Sequence, residues 1–127
     1  MPSAVTHGVR VTVESTYLPE RSDPGENTYA FSYTVTIANE DAPRVQLRRR
    51  HWVITDGNGA VQEVEGPGVV GQQPILDRGE EHRYTSGAVI PTPFGTMEGS
   101  YEMHESGGRV FQATIPRFQL QVPGILH

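Results

Sequence analysis

Three groups of residues in this chain are of types that do chemistry. The first, Gly66-x-Gly68-x-x-Gly71, has the spacing with which a glycine-rich loop lets backbone amides approach a pyrophosphate. That chemistry also needs a strand before the loop and, after it, a helix whose N-terminal amides and dipole hold the phosphates. Pro74 follows Gly71 by three residues and Gly79 comes five later, so the intervening segment is too short for a useful helix and is broken at both ends. The reading preferred for Gly66, Gly68 and Gly71 is therefore a structural loop in which Val69, Val70, Ile75 and Leu76 tuck against a sheet. A non-helical nest of amides around a phosphate is the chemical alternative.

Histidine and arginine supply the other two groups. His51 precedes Trp52 and His104 follows Met103. If Trp52 and Met103 point into a core, strand alternation turns His51, His104 and Glu102 outward. On neighbouring strands the two imidazoles would meet, with Glu102 or Glu105 adding an oxygen for Co²⁺ or Zn²⁺; Mg²⁺ would want oxygen ligands only. Exposed imidazoles on a sheet are more often only that, so no metal or other cofactor is assigned. Arg48, Arg49 and Arg50 form a compact positive group that either discourages stray edge pairing or docks an acidic or phosphorylated protein partner. Gly-x-Ser-x-Gly and His-Glu-x-x-His are absent, and Ser86 in Tyr84-Thr85-Ser86-Gly87 reads as a strand-end residue, so no catalytic residue is assigned.

The elements that must position these groups are strands. Val9, Val11 and Val13 alternate with polar residues, and Tyr29, Phe31, Tyr33, Val35 and Ile37 share one face, as half-buried strands require. Residues 19–27 read as a polar turn. In the next strand Val45 and Leu47 share one parity, Trp52 and Ile54 the other, so a bulge is expected between Arg48 and His51. Gly57-Asn58-Gly59 reads as a hairpin turn, with Val61 and Val64 beginning the return strand. Further strands are expected near 80–86, 98–105 and 109–115, the last two joined by Ser106-Gly107-Gly108 and the last resuming past Pro116 through Phe118, Leu120 and Val122. Gly99-Ser100-Tyr101-Glu102-Met103 has the rhythm of the sixth strand of immunoglobulin-like sandwiches, where Met103 would meet Trp52.

Composition bounds the function classes. A chain of 127 residues is one domain long and can be stable without staples. It contains no cysteine, which excludes disulfides, thiol catalysis and cysteine-ligated metals. Fifteen acidic against ten basic side chains give a formal charge of −5, unfavourable for a nucleic-acid partner. The N-terminus lacks the pattern of a signal peptide and no run reaches the ~20 apolar residues of a membrane span. A cytoplasmic domain over 1–127, with loose tails at 1–8 and 123–127 and no membrane contact, is the expectation.

The ordered matches extend over nearly the whole chain: Tyr29-x-Phe31-x-Tyr33, Val45-Gln46-Leu47, Trp52-x-Ile54-Thr55-Asp56-Gly57-Asn58-Gly59, Gly66-Pro67-Gly68-Val69-Val70-Gly71-x-Gln73-Pro74, Gly79-Glu80, Tyr84-Thr85-Ser86-Gly87, Thr92-Pro93-x-Gly95-x-Met97-x-Gly99-x-Tyr101-x-Met103 and Ile115-Pro116-x-Phe118. In these the sequence resembles the bacterial ApaG family. The resemblance implies an all-β, fibronectin type III-like (immunoglobulin-like) sandwich of about seven antiparallel strands in sheets of three and four. It also implies protein binding, since the domain occurs in F-box proteins and a DNA-polymerase-delta-interacting protein, and its name carries a link to cobalt tolerance and magnesium efflux. The expected function is a non-enzymatic module that binds an unidentified protein partner, with loops 66–74 and 90–97 as contacts. A weak divalent-cation or nucleotide-phosphate binder in metal homeostasis is the alternative, and a small phosphoanhydride hydrolase a third.

Overall fold

The computed structural model describes residues 1–124. Its strands are β1 (Ser3–Thr6), β2 (Val9–Tyr17), β3 (Tyr29–Asn39), β4 (Val45–Asp56), β5 (Val61–Pro67), β6 (Ile75–Leu76), β7 (Glu81–Ile90), β8 (Phe94–Glu105) and β9 (Val110–Gln121). All pairings are antiparallel. One sheet runs β1-β2-β3-β7, the other β5-β4-β8-β9 with β6 beside β4. The seven long strands thus divide three and four as expected, and the short β1 and β6 enlarge each sheet by one. No helix among the described residues is long and apolar enough to cross a membrane.

The N-terminus corrects the expectation of a loose tail over 1–8. Ser3–Thr6 pairs with Val9–Thr12 across a two-residue turn, with His7 and Gly8 at φ 46° and 81°, the left-handed pair that hairpins favour. The segment is short and mostly polar, so periodicity could not reveal it. The tail expected over 123–127 lies, from residue 125 onward, outside the described residues.

The core lies between the sheets. Val9, Val11, Val13, Phe31, Tyr33, Val35 and Ile37 from one sheet meet Val45, Leu47, Trp52, Met97, Tyr101, Met103, Ile115, Phe118 and Leu120 from the other, all buried. Period-two alternation delivers these faces, and each expected break in phase is a bulge. Pairing of β4 with β8 skips Arg48 between Leu47 and Arg49. Pairing of β8 with β9 shifts between Met97 and Gly99, whose partners are Phe118 and Ile115. Pro116, which has no N–H to give a ladder, sits in that second bulge. Met103 lies opposite Leu47 and Trp52 opposite Gly99, and both side chains are buried in the one core cluster. The ring neighbours of Trp52 are Tyr33, Phe118 and Tyr101.

The sandwich closes on one side only. Along that side β1 and β2 pack on β9, and Ser15 Oγ donates to the Gln119 carbonyl at 2.7 Å while the Thr114 amide donates to Thr6 Oγ1 at 3.1 Å. On the opposite side β5 and β7 are the free edges of their sheets, and a cleft opens between them. Two loops are tied down internally. Asn39 is buried, donates to the Pro43 and Leu76 carbonyls and accepts from the Ala42 amide. Thr92 Oγ1 accepts from the Gly57 amide and donates to the Phe94 carbonyl. The expected contact loop 90–97 is consequently a tight, anchored connection whose second half already belongs to β8.

Candidate functional site

The bulge at Arg48 shapes the surface around the glycine motif. Beside it the Arg48 carbonyl continues the β4–β5 register, accepting from the Gly68 amide at 2.9 Å and from Gln73 Nε2 at 3.0 Å. The Leu47 amide donates to the Pro74 carbonyl, and Gln46 Nε2 to that of Gln73. Both ends of the glycine segment are thereby fastened to β4. Between them Val69 and Gln72 exchange amide–carbonyl bonds of 2.8 and 3.0 Å, closing a hairpin whose central residues, Val70 and Gly71, lie at φ 47° and 77°. Gly68 also has positive φ, and a Cβ there would sit 2.3 Å from the Gln72 carbonyl oxygen, so only glycine fits. The Gly68 amide is thus held by β4 and those of Val69 and Gln72 by each other's carbonyls, and the glycines allow a tight hairpin. Val69 and Leu76 are buried as expected; Val70 and Ile75 are instead 64% and 55% exposed.

The three arginines do not form one patch. Arg48 and Arg49 are exposed. Arg48 Nε donates to Gln46 Oε1, and among the described residues neither has a carboxylate at ion-pair distance. Arg50 shares the parity of Trp52 and turns inward. Its Nη1 donates to the Pro67 and Gly68 carbonyls at 2.9 and 3.1 Å, clasping the hairpin from beneath, and its guanidinium lies flat over Gly66, where a Cβ would meet it at 3.0 Å. The alternation that placed Trp52 in the core could have placed Arg50 there too, but charge drew the three together in the sequence reading.

The histidines do not meet either. His51 lies opposite Ser100 and His104 opposite Gln46, five positions apart along β4, because the register could not be fixed from sequence across a bulge. His51 Nε2 is 2.8 Å from Glu63 Oε1 and 3.9 Å from Glu65 Oε1; His104 Nε2 is 2.8 Å from Glu102 Oε2. Both do face outward with Glu102, yet among the described residues no three His, Asp or Glu converge as a metal ion would require.

Polar groups that the sequence reading passed over converge inside the open edge. The Tyr84 and Tyr101 hydroxyls are hydrogen-bonded to each other between β7 and β8. Tyr33 stands beside them, next to Ser86 and the Arg50 guanidinium. Burial raises the pKa of all three phenols, opposed at each by the Arg50 charge. Their folded pKa values lie above the unfolded value near ~10, so above that pH the unfolded chain loses protons the folded one keeps, and stability falls as pH rises. Alkaline titration followed by tyrosinate absorbance and circular dichroism is expected to show these phenols ionising together with loss of structure, and Tyr84→Phe to soften that loss. Ionisation of all five tyrosines near pH 10 with the fold intact would contradict the assignment. The inward face of β7, carrying Tyr84, Ser86 and Ala88 in alternation, was the signal available in the sequence.

Comparison with known proteins agrees with this fold. The model of the family described as "ApaG domain" matches residues 19–105, from the turn before β3 to the end of β8. Protein ApaG of Pseudomonas aeruginosa (strain LESB58) is 54% identical over 125 residues, covering 98% of this chain and 99% of its own. Protein ApaG of Methylobacterium sp. (strain 4-46) is 53% identical, with 98% and 96% covered. A crystal structure of the ApaA protein from Bordetella pertussis superposes with a TM-score of 0.88 at 47% identity, covering 98% of both chains. A protein from Archaeoglobus fulgidus reaches a TM-score of 0.54 at 7% identity, over 90% of this chain and 98% of that one, a likeness of fold alone. Since the family match takes in the bulge, the glycine hairpin and the open edge together, and the relatives align from end to end, this chain belongs to the ApaG family.

Proposed function

We propose that the domain is a non-enzymatic binding module that engages a protein partner through the rim formed by Arg48, Arg49 and the hairpin tip at Val70. The observation that carries this reading is Val70 itself, a β-branched residue at φ 47° and 64% exposed. The left-handed region costs an ordinary L-residue about 1–2 kcal/mol, and glycine or asparagine would fill the turn more cheaply. Strain of this kind, held in place by surrounding hydrogen bonds, points toward use. The tip offers an apolar contact, and the two guanidinium groups by the bulge, with no carboxylate at ion-pair distance among the described residues, suit carboxylates or phosphates on the partner. Freedom from cysteine supports a cytoplasmic setting. A contribution to cobalt tolerance or magnesium efflux would then run through the partner, a reading supported by the distance between His51 and His104.

Affinity capture from bacterial cytosol tests this with three baits: the wild type, the Arg48→Glu/Arg49→Glu pair and Val70→Asn. A protein held by the wild type is expected to be lost from both variants. Val70→Asn should be as stable as the wild type or up to about 1 kcal/mol more so, because asparagine accepts the left-handed region. Equal recovery on all three baits would contradict the rim.

A further inference from the structure

We infer that the cleft between the free edges of β5 and β7 is a second binding site, shaped for the carboxyl-terminal residue of an extended peptide. The terminal carboxylate lies on Arg50, and the last apolar side chain rests against Trp52, Ile54, Val64 and Met97. These four line a cavity of about 310 Å³ together with Arg50, Tyr33, Gln62 and Ser86, within the size range of small-ligand pockets and with the usual pattern of an apolar floor and a few convergent polar groups.

Charge identifies the occupant. Arg50 is half-buried, and Nη1 is committed to two loop carbonyls. The planar fork has further donors, and among the described residues no carboxylate reaches it. A cation withdrawn from water without a counter-ion is costly, and a bound carboxylate supplies one. Chemistry identifies which carboxylate. Arg50 and Ser86 line the same cavity as Trp52, Ile54, Val64 and Met97. A C-terminal residue carries its carboxylate and an apolar side chain on one Cα, which matches a single guanidinium fork beside an apolar floor in so small a space. The free edges provide unpaired backbone groups along which the preceding residues can extend. With a net charge of −5 the domain does not draw anions from afar, so selectivity must come from this local fork. Arg48 and Arg49 do not line the cleft, and this site stands or falls apart from the rim.

The test is a magnetic-resonance titration of the isotope-labelled domain with three probes: acetyl-Ala-Val-Leu as the free acid, the same peptide as its terminal amide, and acetyl-Ala-Glu-Leu amide, which carries its carboxylate internally. The free acid is expected to shift the Trp52 indole N–H and the amides of Gln62, Val64 and residues 86–89 saturably, with a Kd below about 1 mM and at least about 10-fold tighter than either amide. Arg50→Gln should weaken it by about 10-fold or more. Val89→Glu, at an exposed position lining the cavity, should weaken it too without risk to the core, while Arg48→Glu/Arg49→Glu should leave it unchanged. Equal binding of acid and amide, or no localised saturation, would overturn the proposal. The internal carboxylate binding as well as the terminal one would overturn it in favour of an acidic side chain.

Discussion

Replacing Trp52 by alanine is expected to remove about 3–5 kcal/mol of folding stability, the usual cost of excising a large aromatic from a packed core. The indole is 3% exposed. It meets Tyr33 at a centroid distance of 5.2 Å, Phe118 at 5.9 Å and Tyr101 at 6.4 Å, with interplanar angles of 61°, 83° and 86°. These are edge-on contacts of the kind aromatic quadrupoles favour. They join β4 to β3, β8's neighbour β9, and β8 itself, so the cavity would open between the sheets, where neither can collapse freely. Against a total of about 5–15 kcal/mol for a domain of this kind, the variant should be only marginally folded. Denaturant unfolding followed by circular dichroism measures it, because the substitution removes the fluorophore. A midpoint shift worth less than about 1 kcal/mol would show that the indole does not bridge the layers.

The second large effect is expected at a residue that packs nothing. Gly99 lies opposite Trp52, and a Cβ there would fall 1.9 Å from the His51 carbonyl oxygen and 3.1 Å from the Trp52 Cα. Both obstacles are backbone, so no side chain can swing aside. Gly99→Ala must force the strands apart beside the core, at an expected cost of about 3 kcal/mol or more, the upper end for overpacking. Gly87→Ala is the matched control, since its Cβ would stand 3.5 Å from the Phe31 carbonyl oxygen, an ordinary contact. It should change stability by no more than about 0.5 kcal/mol. Parallel unfolding curves check the pair; indistinguishable effects would mean that strand spacing at Gly99 is not what the register implies.

Alternation made the long strands and their buried faces readable, because one face of each sheet is dry and the period is two. It also announced the bulge, since Leu47 and Trp52 cannot both face inward without one. What it could not supply was register across that bulge. Neighbouring strands allow His51 and His104 to meet, but the ladder skips Arg48 and His104 faces Gln46. The same alternation, followed one residue further, turns Arg50 inward beside Trp52. Grouping it with Arg48 and Arg49 by charge concealed both the clasp under the glycine hairpin and the cleft. The tyrosine cluster stayed hidden for a different reason: Tyr33, Tyr84 and Tyr101 come from three strands, and only topology brings their hydroxyls to one place.

The glycine hairpin holds the amides of Gly68, Val69 and Gln72 in its own fold, and recognition by this loop is accordingly expected to fall to side chains. Titrating ATP, GTP and NAD while following the amide resonances of Gly66, Gly68 and Gly71 tests it most directly. No localised, saturable shift is expected, because the Gly68 amide is held by the Arg48 carbonyl and those of Val69 and Gln72 by each other's carbonyls. Saturable shifts at micromolar nucleotide would contradict the claim, since they would require those bonds to open for a phosphate.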